Sequence, residues 1–179
     1  MNSKQIASLV IVSASILIVG MTLAAEDRFT VTSPNGIAFS EFKGYDAWEV
    51  IAPSQPDGAI KVILGNPAMI NAYKNGFLTN GQTVPDGAVM AKIQWSTKSE
   101  ALIPGVNVPD VLRKVQFMVK DAKRFPDTDG WGYADFNYEA ASDSFKAMGN
   151  GPAFAKAACH QCHTRVKARD FVFTSYAPR

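Results

Sequence analysis

Cysteine and histidine are the scarce residues of this 179-residue chain, with two of each. Net charge is nearly absent: 18 Lys and Arg face 16 Asp and Glu, leaving a formal +2. A balance that close carries no electrostatic footprint for nucleic acid. No internal repeat and no low-complexity tract interrupts the chain, and no long heptad-patterned helix can be read in it. The length and a hydrophobic fraction of 47% fit a single domain with its own core.

What the chain does have, it concentrates. Both cysteines and both histidines fall within Cys159-His160-Gln161-Cys162-His163. The pattern Cys-x-x-Cys-His is the attachment signature of a c-type haem. Two thiols at this spacing can add across the two vinyl groups on one porphyrin edge, forming thioethers at Cys159 and Cys162. The next residue, His163, then lies under the iron and can bind it axially.

Three other readings of the motif are weaker. A thioredoxin-type redox pair belongs at a strand-to-helix step of a βαβ unit; this pair lies near the C-terminus, after a run of strands. Structural zinc needs four ligands spread tetrahedrally, and no second ligand cluster exists in the sequence. A disulfide across so short a loop adds little stability, because cross-link stabilisation falls with loop size.

Residues 1–25 read as a secretory signal. Lys4 supplies the positive start, Ile6 to Val19 an apolar run, and Thr22-Leu23-Ala24-Ala25 the small residues of a cleavage site. Export to the periplasm agrees with haem attachment outside the bacterial cytoplasm. The alternative is an uncleaved anchor that holds the chain to the membrane, since the run is near the lower limit for a span. The remainder, residues 26–179, forms the monohaem domain.

The expected fold is α+β, mainly antiparallel sheet with short helices and the haem motif near the C-terminus. Phe39 to Trp48 is a short helix or turn. Strands are expected at Trp48–Ala52, Ala59–Leu64, Ala88–Ser96, Asp110–Asp121 and Trp131–Tyr138, from alternation and β-rich composition. Asn66-Pro67 caps and starts a helix that Asn75-Gly76 ends. Pro152 starts a short helix, Ala153–Ala158, that delivers the motif. Phe171-Val172-Phe173-Thr174 is a last strand or an apolar tail docking on the core. Neither a four-helix haem bundle nor the ordinary helical electron-transfer cytochrome, whose motif is near the N-terminus, fits this order.

The iron's other side is left open by counting. His160 is tied into the attachment loop and cannot easily reach the opposite face. A methionine (Met69, Met90, Met118 or Met148), a lysine amine or an open site remain. Methionine ligation suits simple electron transfer; an open site suits a small ligand.

The order of features resembles the cytochrome P-460 family, which includes cytochrome c′-beta. The matching stretches are Gly44-Tyr45-Asp46-Ala47-Trp48, Ile60-Lys61-Val62 leading to Asn66-Pro67 and Ala72-Tyr73, then Asp86-Gly87-Ala88-Val89-Met90-Ala91-Lys92. Val119-Lys120-Asp121-Ala122-Lys123-Arg124-Phe125, Trp131-Gly132-Tyr133, the Cys159–His163 motif and Phe171-Val172-Phe173-Thr174 complete the set. The resemblance implies a homodimer of β-rich subunits, each with a five-coordinate haem and a redox partner protein. It implies chemistry on hydroxylamine or NO, with a lysine joined covalently to the porphyrin edge in the hydroxylamine-oxidising members. Lys92 is the lysine that matches. Two distal-pocket positions depart from those members: Gln116 stands where they carry glutamate, and Lys61 where they tend to have arginine. An amide cannot serve as a general base, and lysine keeps the charge while losing the planar fork. The cytochrome c′-beta pattern, NO binding without a cross-link, is the alternative that the resemblance leaves.

Overall fold

The computed structural model describes residues 28–56 and 58–179. The expected export signal lies outside the described residues. Among the described residues no helix is long and apolar enough to cross a membrane.

Six antiparallel strands form one meander: β1 (Glu49–Ser54), β2 (Ala59–Gly65), β3 (Val89–Ser99), β4 (Asn107–Lys120), β5 (Trp131–Glu139) and β6 (Ser144–Ala147). The α+β expectation holds. All five expected strands are present within a few residues. The sixth, Ser-Phe-Lys-Ala, is too short and polar to show as alternation; it pairs with the end of β5 through Phe136↔Ala147 to Glu139↔Ser144. Pro53, just past the expected end of the first strand at Ala52, lies inside β1 opposite Val62. The position is tolerated because β1 is an edge strand with one unpaired side.

The two faces of the sheet bury different things. Ala91, Ile93, Val115, Phe117, Ala134 and Phe136 face the first core, which is covered by Phe39, Phe42 and Tyr45. Those three come from two 3-10 turns, Phe39–Phe42 and Tyr45–Ala47, in the stretch expected to be helix or turn. The bidentate Arg124–Glu41 pair, 2.7 and 2.9 Å, holds this cover to the β4–β5 connection. The opposite face carries Ile63, Met90, Met118 and Tyr133 into a second core with Ala155, Phe171 and Val172.

Strict alternation fails in the outer half of β4, where the pairing with β3 shifts register twice. Alternation puts Leu112 on the face of Lys114 and Val111 on that of Val115. The ladder instead steps from Gln94↔Lys114 to Trp95↔Leu112, so Arg113 is an extra residue. This bulge turns Leu112 toward the first core and leaves Val111 exposed.

Local chemistry sets the helices. Asn66 Oδ1 accepts from Met69 N (3.0 Å), capping α1 (Pro67–Lys74), and from Val89 N (3.0 Å), tying the cap to β3. Gly76 ends α1 at φ +77° and opens α2 (Phe77–Asn80). Gly132 permits a close approach: a Cβ there would meet the Phe125 ring at 2.3 Å.

Candidate functional site

The attachment motif rides on a π-helix, Ala155–His160, that continues as α3 (Gln161–His163) and a 3-10 stretch, Thr164–Arg169. π-Helices recur at functional sites because the wider turn re-aims side chains. The expected Ala153–Ala158 helix is real and starts where expected, at 153; it runs on through His163, with π winding over Ala155–His160. Cys159 is partly buried, Cys162 is exposed, and both are free thiols.

The two histidines of the motif are held differently. His160 is buried and engaged at both nitrogens: Nδ1 lies 3.3 Å from the Tyr133 hydroxyl and Nε2 lies 3.2 Å from Asp129 Oδ2. His163 Nδ1 lies 2.7 Å from the Phe171 carbonyl. A carbonyl only accepts, so Nδ1 carries the proton and Nε2 is left with a free lone pair. That is the tautomer and orientation of a metal-ligating imidazole with its outer partner in place. The ring is clamped between Tyr133, 5.1 Å between centroids, and Phe173 at 4.9 Å. Burial, first, lowers the His163 pKa and keeps the ring neutral.

The carbonyl of Phe171 reaches His163 because the chain reverses there. Asp170 and Phe171 take φ +46° and +63° in succession. Such conformations cost about 1–3 kcal/mol each outside glycine and persist only where the surroundings fix them. Asp170 supplies the fixing. Its carboxylate accepts from Lys120 Nζ at 3.0 and 3.1 Å, from Trp131 Nε1 at 3.3 Å and from Val84 N at 2.7 Å. The reversal sends Phe171 and Val172 into the second core, so the C-terminal segment docks as a tail and adds no strand.

A cavity of about 150 Å³ opens between this helix and the sheet, lined by Cys159 and His163 on one side and by Lys92 and Gln116 on the other. Ile63, Met90, Met118, Val172 and Phe173 make its walls mostly apolar. Two of the four methionines considered as ligands therefore border the cavity. Met69 is fully buried in the core, and Met148 Sδ accepts from Asn137 at 2.8 Å.

Lys92 and Gln116 are direct partners across β3 and β4, with Ile63 beyond Lys92 on β2 and Asp135 beyond Gln116 on β5. Lys92 has no hydrogen-bond or ion-pair partner among the described residues. Burial, then the charge of Lys61, pushes its pKa below the usual lysine range. Lys61 shares this face of the sheet, two residues from Ile63, but does not line the cavity. The structure thus joins five of the expected site residues at the cavity or its helix, Cys162 outermost, and leaves Lys61 acting on it by charge.

Sequence reasoning missed Asp135. Its Oδ2 accepts from Gln116 Nε2 at 2.6 Å and Lys114 Nζ at 3.2 Å. The signal was there: a lone carboxylate within the apolar, aromatic run of β5.

These residues fit a c-type haem: an apolar slot, two thiols on one edge, and an imidazole with its outer nitrogen fixed. Among the described residues, no group of three or more His, Cys, Asp or Glu side chains gathers as a metal site. The fold and site fit a haem-binding protein. The family model for cytochrome P-460 matches residues 42–174, and the chain belongs to that family. No curated protein matches the chain.

Proposed function

We propose that this protein is an exported monohaem cytochrome that oxidises hydroxylamine, or handles NO, at an open haem iron. Thioethers at Cys159 and Cys162 would hold the haem, each formed by adding S–H across a vinyl group. His163 would be the proximal ligand. The haem supplies a ligand site and one-electron transfer, and electrons from the substrate would leave to a redox partner protein.

The observation that carries the catalytic reading is Lys92. It is a half-buried amine without a hydrogen-bond or ion-pair partner among the described residues, lining the cavity together with Cys159, and its partial burial lowers its pKa toward the neutral, nucleophilic form. That is the state needed for a bond to the porphyrin edge. Such a bond costs the amine and the porphyrin carbon one hydrogen each, taken by a two-electron oxidant during maturation.

A second reading is favoured by Gln116. An amide opposite the cavity can donate a hydrogen bond but cannot take a proton at neutral pH. This suits an NO-binding cytochrome of the c′-beta kind. A simple electron carrier with methionine ligation ranks last. Exposing the ferric protein to hydroxylamine and, separately, to NO separates the three. Reduction of the haem with oxidised nitrogen products from hydroxylamine supports the enzyme, no reaction with hydroxylamine but a stable adduct with added NO supports the binder, and resistance to both supports the carrier.

A homodimer agrees with the β3–β4 hairpin. Its tip exposes Leu102 (89%), Ile103 (56%) and Val106 (39%), an apolar patch that a second copy would cover. Export to the periplasm rests on the signal-like residues 1–25.

A further inference from the structure

We infer that the outer face of the attachment helix is the dock for the redox partner, and that this partner is a one-electron carrier with an acidic face. The inference rests on the electron exit of the reading above and names the partner that the exit requires.

Charge is placed unevenly along this nearly neutral chain. Residues 144–169 hold Lys146, Lys156, Arg165, Lys167 and Arg169 and no carboxylate; all 16 Asp and Glu lie outside them. Lys156, Arg165 and Lys167 are exposed. Lys156 and Arg165 have no hydrogen-bond or ion-pair partner among the described residues. Arg169 donates to the Ser175 hydroxyl at 2.9 Å, a neutral partner that leaves its charge in place. Among the described residues one carboxylate pairs with this segment: Asp129 meets His160 at 3.2 Å and the largely exposed Lys167 at 3.9 Å. Asp170, which follows Arg169, is buried on Lys120. The segment keeps a positive surplus.

Between these cations the surface is small and uncharged, with Ala157, Ala158, Gln161 and Cys162 exposed. Helical side chains three apart are neighbours, about 5–6 Å between Cβ atoms, so Arg165 stands beside Cys162. Cys162 is one of the two proposed thioether positions, which puts the exposed point of attachment in the middle of this face. Phe173 is the one aromatic among the large exposed hydrophobic side chains of the described residues, and its ring lies 4.9 Å from that of His163. An uncharged centre inside a charged rim is the anatomy of a protein interface. Redox encounters of this kind are small and steered by charge, so a basic face calls for an acidic one. A membrane surface is also anionic, but a helix lying on a bilayer buries a stripe of large apolar side chains. This helix face offers alanines instead, which favours a protein.

The probe is plastocyanin, a copper carrier with an acidic face. Its affinity for the ferric holoprotein is read by calorimetric titration. Its second-order reduction by holoprotein, reduced beforehand with dithionite and freed of excess reductant, is read by stopped flow. At low ionic strength Arg165→Glu and Lys156→Glu should each weaken both by about tenfold. Arg113→Glu makes the same change in net charge at the exposed bulge of β4, and should stay within about twofold. The difference should disappear in about 0.5 M salt. Equal losses for all three variants, or no loss for Arg165→Glu and Lys156→Glu, overturn the proposal. Should Arg165→Glu not mature, Lys156→Glu against Arg113→Glu decides it. Vesicles of phosphatidylglycerol are the second probe. Capture of the holoprotein by vesicles, lost in the Lys156 and Arg165 variants and without plastocyanin binding, overturns the protein partner in favour of a membrane surface. Failure of hydroxylamine to reduce the ferric protein overturns the enzyme reading alone, because dithionite supplies the electron here.

Discussion

Lys92 and Gln116 face each other across the two longest strands of the sheet, and both project into the cavity that the attachment helix covers. The pairing sets an amine whose pKa is lowered by partial burial beside an amide that can donate a hydrogen bond but does not take protons. The chemistry of the cavity turns on these two positions.

Lys92 bonds only as a neutral amine, and its lowered pKa supplies that form at lower pH than an ordinary lysine. The fraction of protein carrying the cross-link should therefore rise with maturation pH and level off below the usual lysine value of about 10.4. Protein matured at about pH 6 should carry less cross-link than protein matured at about pH 8, as read by mass. Lys92→Met should carry none, keep its thioether haem, and lose hydroxylamine turnover by about a hundredfold or more.

Lys120 and Asp170 are a buried pair, 9% and 8% exposed, that fixes the reversal presenting Phe171 to His163. Lys120→Met leaves the Asp170 carboxylate buried without its cation. The expected loss is about 3–5 kcal/mol in denaturant unfolding. The ferric haem spectrum should become heterogeneous, because the partner of His163 Nδ1 is no longer held.

Glu41 and Arg124 join the N-terminal cover to the sheet. Hydrogen bonding to Arg124, first, lowers the Glu41 pKa. The sign follows: a carboxyl whose folded pKa is depressed adds stability above its unfolded value and loses it as pH falls through the folded one. The pair is partly exposed, so a double-mutant cycle with Glu41→Gln and Arg124→Met should give a coupling of about 0.5–1 kcal/mol at pH 7. That coupling should vanish as pH falls through the depressed folded value of Glu41 and weaken in high salt.

The hairpin tip tests the dimer. Leu102→Asp with Ile103→Asp should convert a dimer to monomer by sedimentation while leaving the haem spectrum unchanged, because the tip is remote from the cavity in the strand register.

Much of the fold was legible because its strands alternate cleanly. Val89, Ala91 and Ile93 against Met90, Lys92 and Gln94 named both faces of β3, and Asn66-Pro67 named the start of α1. Three features were not. The bulge at Arg113 breaks alternation through pairing with β3, a non-local cause. β6 is held by its neighbour and not by its own propensity. The π-winding of the attachment helix leaves no period in six residues. The site was legible where chemistry forces local spacing, as in Cys159, Cys162 and His163. Asp135 and the Phe171 carbonyl were hidden because their roles come from strand pairing and from a chain reversal.

Whether a haem is bonded to Cys159 and Cys162 with Lys92 at its edge is read from the mass of the haem peptide in a protease digest of matured holoprotein. One species is expected, containing haem, the Cys159–Cys162 peptide and the segment bearing Lys92. Haem on the cysteine peptide without Lys92 would contradict the catalytic reading and leave the NO-binding one. A cysteine peptide free of haem, from a host able to mature c-type cytochromes, would contradict the account as a whole.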